Sequence, residues 1–326
     1  MAENGTSNSC FTVGVVLIDG FALMSYSSIV EPLRAANVLE GRELYRVRNI
    51  PATGNFATSS NGAIIPGDCT IEANEHEHID FDLLLVVAGG DPTQFHDKRM
   101  LAWLRRMSHL DFKLGGVSGG PVILAAAGLM NGRRMTVHWE YARTLIEHSP
   151  TLLVERSLYV VDRDRVTCAG GTAPIDLMHA LITEHHGSQL ARRVSDWFMH
   201  TEIRPPGGSQ RAGRAERYGV TARTVLNAIE AMENHIADPL DLSQLARIAG
   251  ISRRQLNRLF HDKLKQSTMS FYRDLRLEKA RSLILNSSLS LTAIALATGF
   301  SSSAHFSSMY TARYRTPPSK LRAHSG

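Results

Sequence analysis

Three stretches of this chain carry side chains whose types and spacing could do chemistry. Gly116–Gly120 reads GVSGG. Glycines on both sides of a residue between a strand and a small-residue helix tolerate strained dihedrals and expose the central side chain. That is how a nucleophile elbow works. The string satisfies G-x-S-x-G, with Ser118 as the hydroxyl. A serine nucleophile needs a general base and a group to orient that base. His138 lies twenty residues on, and His179, His185 and His186 fall in helix-like sequence. That order fits a serine hydrolase poorly. The second stretch is Arg253–His261, where Arg253, Arg254, Gln255, Asn257, Arg258 and His261 alternate with Leu256, Leu259 and Phe260. On a helix this makes a row of long hydrogen-bond donors opposite an apolar stripe, suited to base edges and phosphates. The third is His76-Glu77-His78. It looks like a metal cluster, but Glu75 and Asp80 beside it suggest a solvated acidic loop, and no metal is expected there.

The elements that must position these residues change character along the chain. Up to about residue 200, strands and helices alternate. Phe11–Ile18, Tyr45–Ile50, Phe81–Gly90, Lys113–Val117 and Arg165–Gly171 read as strands. Met24–Leu39, Lys98–His109, Gly119–Ala127 and Pro174–His185 read as helices. The alternation implies a parallel sheet covered on both faces. Residues 201–219, of which Arg204–Gly219 read RPPGGSQRAGRAERYG, lack apolar periodicity and read as an exposed linker. Beyond them no comparable strand occurs. Helical patterns follow one another, and LARIAGISRRQLNRLF contains an inward face, a turn glycine (Gly250), an apolar plug (Ile251) and a cap (Ser252). The same grammar recurs around Gly299, Phe300 and Ser301 or Ser302, with Phe306 and Tyr310 inward. A long helix over Phe271–Leu285 joins the two units. One such unit is a plain helical hairpin as readily as a DNA reader, but two with a connecting helix favour DNA.

Charge follows the same division. The 326-residue chain carries a net +5. Residues 1–200 hold 17 Lys and Arg against 22 Asp and Glu, and residues 201–326 hold 19 against 9. A basic segment beside an acidic one is the footprint of a nucleic-acid module joined to something else. No apolar run approaches the ~18 residues of a membrane span. No secretory signal is read in residues 1–10, and the three cysteines, odd in number and scattered, suggest no disulfide framework. A cytoplasmic protein without membrane contact is expected.

Two resemblances sharpen these expectations. DLSQLARIAGISRRQLNRLF, RLEKARSLI and LTAIALATGFSSSAHFSSMYTARYRTPPSKLR resemble the AraC/XylS family of transcription regulators over roughly residues 222–322. The resemblance implies two recognition helices in successive major-groove segments on one DNA face. At the family's reading positions stand Arg254, Asn257 and Arg258 in the first helix. Ser303, Ala304, Ser307 and Ser308 stand in the second, with Ser302 and His305 nearby. The short side chains of the second helix imply weaker reading. Lys263, Lys265, Arg273, Arg276, Arg313, Arg315 and Lys320 are left as phosphate contacts or solvated charges. FTVGVVLIDGFALMSYSSIVEPLRAAN, FDLLLVVAGGDP, GVSGGPVILAAAGLMNGRRMTVHW and TCAGGTAPIDLMHALI resemble the class I glutamine amidotransferase-like (PfpI-like) fold over roughly residues 11–200. Enzymes of that fold carry a cysteine at the elbow, and here it is Ser118.

The expectation is therefore a flavodoxin-like α/β N-terminal sandwich (11–200), a linker (201–219) and an all-α domain with two helix-turn-helix motifs (220–326). No catalytic residue and no cofactor are assigned. The old active site is expected to bind a small effector, of amino acid or quaternary ammonium type, lined by Glu31, Gly89, Gly90, Asp91, Ser118, Gly119, His138 and Trp139. Gly89, Gly90 and Gly119 would offer backbone N–H groups to a carboxylate, and Glu31 and Trp139 would hold an ammonium. The partners implied are an operator DNA, a second copy and, for an activator, RNA polymerase. A hydratase or hydrolase with a DNA-binding appendage, and a regulator whose N-domain only dimerises, remain open.

Overall fold

The computed structural model describes residues 10–71, 80–287 and 289–323. The chain divides after Arg211 into two compact units. In the first, β1 (Phe11–Leu17), α1 (Leu23–Glu40) and β2 (Tyr45–Pro51) precede a short hairpin of β3 (Phe56–Thr58) and β4 (Ile64–Pro66). There follow β5 (Leu83–Ala88), α2 (Lys98–Met107), β6 (Lys113–Ser118), α3 (Gly120–Ala126), β7 (Arg134–Thr136) and α4 (Trp139–His148). Strands β8 (Leu153–Glu155), β9 (Tyr159–Asp162) and β10 (Arg165–Cys168) lead to α5 (Ala173–His186) and α6 (Ser188–Trp197). The six-stranded sheet runs β2-β1-β5-β6-β10-β9. All its pairings are parallel except β9 with β10.

Continuous apolar runs make this sheet because both of its faces are covered. In β5, Leu83, Leu85 and Val87 face the layer containing α1, α5 and α6, where Leu33, Leu177 and Val194 pack. Their neighbours Leu84, Val86 and Ala88 face the other layer, with Trp103 of α2 and Ile123 of α3. The flavodoxin-like sandwich is thus present, and β7, β8 and β9, too short to show periodicity, were not legible beforehand.

The expected linker is ordered. His200 Nε2 and the Arg204 guanidinium reach the fully buried Asp176 of α5, at 3.0 and 2.6 Å. The Pro206 carbonyl accepts from Leu158 N at 2.8 Å. Residues 201–211 therefore belong to the first unit, which ends at Arg211. Pro and Gly remove regular elements here without removing partners for the backbone. The remaining residues contain α7 (Arg214–Tyr218), whose Arg214 and Arg217 pair with Glu233.

The second unit continues with α8 (Arg223–Asn234), α9 (Leu242–Ala249), α10 (Arg253–Leu264) and α11 (Thr268–Asn286). It closes with α12 (Leu291–Ala297), α13 (Ser303–Tyr314) and α14 (Pro318–Ala323). Two cores form. Phe271 and Tyr272 at the start of α11 complete the first with Leu256 and Phe260. Leu277, Ala280 and Ile284 further along complete the second with Phe306 and Tyr310. Both helix-turn-helix units are present, and the connecting helix serves each with a different part of its length.

The tightest packing in the first unit is at α3. A Cβ on Gly120 would lie 1.9 Å from the Val86 carbonyl oxygen. Backbone cannot move aside as a side-chain tip can. Gly120→Ala should therefore cost more than about 3 kcal/mol or prevent folding, as overpacking against a rigid wall does. Chemical denaturation beside Gly207→Ala, a glycine with open space for a Cβ and no positive φ, checks this.

Candidate functional site

Ser118 ends β6 at φ +61, the left-handed region that a β-substituted residue rarely adopts. Its neighbours explain how it stays there. Gly116 lies against Pro121 N, and Gly119 lies against the Pro92 ring. Gly170, after β10, approaches so closely that its Cβ would stand 2.6 Å from that of Ser118. The elbow geometry is therefore intact. Among the described residues no side chain hydrogen-bonds the Ser118 hydroxyl.

His138 approaches Ser118 through its backbone, whose N–H donates to the Ser118 carbonyl at 3.3 Å. Its ring caps α4, with Nδ1 accepting from Glu140 N at 3.4 Å. Burial chiefly pushes its pKa down, with the Arg211 charge adding to burial and Glu140 opposing it. A neutral ring whose Nδ1 accepts carries its proton on Nε2, so it offers the cleft a donor and not a base. Trp139 and Tyr141 flank that ring at 5.2 and 5.6 Å. The Tyr141 phenol is pushed up to about 12 by burial, with Glu140 and Asp91 adding to it. Arg211 stacks its guanidinium 4.2 Å from the Trp139 ring centre.

The other expected lining residues divide. Asp91 caps the single turn Pro92–Gln94 through Thr93 N and the Thr93 hydroxyl, so its carboxylate is spoken for. The Gly119 N–H donates to Ala88 O at 3.0 Å, so it is not offered to a ligand. A Cβ on Gly89 would meet Gly20 O at 2.5 Å, while Gly90 sits in open space at φ +60. Glu31 needs correction: it pairs with Arg34 at 2.7 Å on the exposed side of α1. The α1 residue against the elbow is Ser25. It is fully buried, accepts from Gly171 N at 2.8 Å, and lies 2.9 Å from where a Gly170 Cβ would be. Six residues along a helix is about 9 Å of rise and about 240° of rotation, so Glu31 and Ser25 cannot share one spot. Nothing in residue type marked Ser25 beforehand; its register on α1 could have. The His76–His78 cluster lies outside the described residues. Among those described, no group of three His, Cys, Asp or Glu could hold a metal.

In the second unit the two recognition helices are copies at a spacing of fifty residues. Leu256 and Phe260 correspond to Phe306 and Tyr310, all buried. Lys265 and Arg315 close the helices, both in the left-handed region. The turn glycines are one residue closer than this, so the second turn holds one extra residue, and Ser302 is the cap, accepting from His305 N. Arg253, Arg254 and Arg258 are exposed and make no ion pair among the described residues. Ser303, Ala304 and Ser308 occupy the matching positions of α13.

Two expected readers are engaged elsewhere. Gln255 closes a capping box with Ser252. The Asn257 side-chain oxygen accepts from Thr268 N at 3.1 Å, at the start of α11. In the second copy the residue matching Thr268 is Pro318, which has no N–H to satisfy, and Ser307 replaces Asn257. Arg276, left open as a phosphate contact, instead donates to Thr298 O and lies over Phe300 at 4.2 Å.

Residues 12–184 match the DJ-1/PfpI family and residues 245–324 a helix-turn-helix domain. The HTH-type transcriptional regulator GlxA of Rhizobium meliloti is 43% identical over 327 residues, covering 100% of each chain. This chain belongs to the transcription regulators that join a DJ-1/PfpI domain to an AraC-type helix-turn-helix domain. The HTH-type transcriptional regulator CdhR of Pseudomonas aeruginosa is 42% identical over 94% of this chain and 90% of its own. Two solved structures share the fold. A THiJ/PfpI family protein from Pseudomonas syringae has a TM-score of 0.52 at 20% identity, over 74% of this chain and 92% of that one. An AraC family transcriptional regulator from Pseudomonas putida has a TM-score of 0.50 at 23% identity, over 58% and 99%. Among the described residues no helix of this regulator is long and apolar enough to cross a membrane.

Two outcomes follow from these assignments. Asn257→Ala should lower the stability of the second unit by about 1–2 kcal/mol, the cost of a lost helix-start acceptor. Arg258→Ala should leave stability within about 0.5 kcal/mol, as exposed substitutions do, yet weaken operator binding. Denaturant melts beside DNA titrations of both variants check the split. The second outcome concerns pH. His138, His179, His185 and His186 all have pKa values lowered chiefly by burial. Below the ordinary value of about 6.5 the unfolded chain binds more protons than the folded one. Stability should therefore fall as pH drops from about 6.5 towards the folded-state values. His138→Gln should flatten that slope in denaturant melts run across this range.

Proposed function

We propose that this regulator is a ligand-responsive activator whose first unit senses a small zwitterionic metabolite without transforming it. The observation that carries this reading is the intact elbow with an unactivated Ser118. The strained turn, the close glycines and the approach of His138 are retained, yet the hydroxyl meets no base. The alcohol of an unassisted serine ionises far above neutral pH, so it cannot attack. The cleft at the carboxyl ends of β5, β6 and β10 is then a binding site for a molecule that is not turned over. His138 supplies a donor, and Trp139 supplies an indole face for a cation. Glu31 has no part in this reading, and the face of Trp139 is shared with Arg211.

The second unit reads operator DNA as half of a cytoplasmic homodimer. Arg253, Arg254 and Arg258 carry the sequence information in α10. Ser303, Ala304 and Ser308 in α13, with His305 and Ser302 at its start, contribute phosphate and methyl contacts. Such helices fall in adjacent major-groove segments about 34 Å apart. An activator of this kind presents the bound complex to RNA polymerase.

A thermal-shift screen of metabolites on the full chain tests the sensor directly, because a true ligand stabilises by mass action. Ser118→Ala should keep the response, losing at most about 0.5–1.5 kcal/mol of ligand affinity for one neutral hydrogen bond. Ser118→Trp should abolish the response by filling the cleft, with DNA binding retained. A reporter dose-response for each variant, beside a turnover assay, decides. Turnover by the wild type that disappears in Ser118→Ala would establish an enzyme instead.

A further inference from the structure

The first unit ends in a strap that is pinned beside the cleft. Arg204 is held deep, by two guanidinium contacts and a backbone N–H bond to the buried Asp176. Pro206 O accepts from Leu158 N. A Cβ on Gly208 would touch Leu158 at 2.9 Å. The last two pins differ in kind. Gln210 Nε2 points at Thr136 Oγ1, Val137 O and Ser157 O, at 3.0, 3.1 and 2.8 Å. An amide nitrogen has two hydrogens for those three acceptors. Its own carbonyl oxygen is buried with no partner among the described residues. Arg211 then lies on Trp139, whose side is two-fifths exposed. Ala212 begins the second unit.

Both terminal pins reach one short stretch, Thr136–Trp139, and Gln210 reaches Ser157 between β8 and β9 as well. The Thr136–Trp139 stretch also holds His138, hydrogen-bonded to the Ser118 carbonyl. The elbow, the cleft wall and the last residues of the strap are therefore joined within four residues.

We propose that Gln210 and Arg211 form a releasable latch, opened when the cleft is occupied; this rests on the cleft being the effector site. A molecule bound at His138 or on the indole face must either shift the loop or take the place of the guanidinium. Either loosens Arg211. Gln210, whose oxygen is unsatisfied in the closed state, gains a water partner on leaving. The peel stops at Arg204, because separating it would strip the buried Asp176 carboxylate of three of its contacts and leave it His200 alone among the described residues. Seven residues are freed, about 23 Å of extended chain. Tether length of that order changes the effective concentration of a linked DNA-binding unit at its site.

Hydrogen exchange on the full chain tests this, read at the amides of Leu158 and Tyr159, which face Pro206. Arg211→Gln should speed their exchange about twofold or more, since it removes at least the stacking on Trp139. Gln210→Ala should speed it about tenfold or more, and Arg211→Lys should stay near wild type. Amides of β1 and β5 should keep their protection in all three, showing an intact fold. Guanidinium chloride well below denaturing concentration, against equal sodium chloride, should mimic Arg211→Gln in the wild type and add nothing in that variant. Unchanged Leu158 exchange in both Arg211→Gln and Gln210→Ala overturns the latch. A stabilising metabolite that leaves Leu158 exchange unaltered overturns its coupling to the cleft while the sensor stands. Latch variants that open while no metabolite stabilises the chain overturn the sensor and leave the latch.

Discussion

The contact between Gly120 and the Val86 carbonyl sets the geometry of the whole first unit. Helix α3 enters so close to β5 that only glycine fits, and the turn into it must be made within one residue. Ser118 takes that turn at φ +61. A strained turn survives only where its surroundings over-determine it. Here Gly170, Pro92 and Pro121 close on it from three sides, so the loops after β5, β6 and β10 meet at one point. Packing of backbone and glycines holds the turn, and not the chemistry of the side chain at its apex.

A different economy governs the second unit. The same helix-turn-helix hardware occurs twice at fifty-residue spacing, with the apolar contacts preserved and the exposed ones not. Leu256 and Phe260 became Phe306 and Tyr310 within the same packing arrangement. Arg254 and Arg258 face Ala304 and Ser308 in the copy. Core positions answer to volume and rotamer, whereas exposed positions are free of that packing constraint. The copies also differ where α11 and α14 begin. Asn257 is needed because Thr268 has an N–H, and Ser307 suffices because Pro318 has none.

Much of the architecture was legible in the sequence. The apolar runs of β1 and β5, the switch to helical period after residue 220, and Gly250 and Gly299 at left-handed turns each have one physical reading. The short strands β7, β8 and β9 were not legible, because three or four residues cannot show a period. The strap was misread for a related reason. Pro205, Pro206, Gly207 and Gly208 exclude helix and ladder, yet a carbonyl at Pro206 and a guanidinium at Arg204 bind without either.

Several side chains expected at the sites have partners within the fold that the sequence did not announce, and those engagements share one cause. Asp91, Gln255, Asn257 and Glu31 were all polar groups with a chemistry to offer. Three of them are consumed by backbone N–H groups at the ends of turns and helices, and the fourth by a neighbouring arginine one turn away. A helix start exposes up to four donors that must be met, and a nearby oxygen meets them at little entropic cost. A polar side chain near such a start is therefore claimed by the fold before it is available to a ligand. The arginines of α10 escape that claim because a guanidinium accepts nothing. That chemical asymmetry, more than their position, is why among the described residues Gln255 and Asn257 meet backbone N–H groups while Arg253, Arg254 and Arg258 do not.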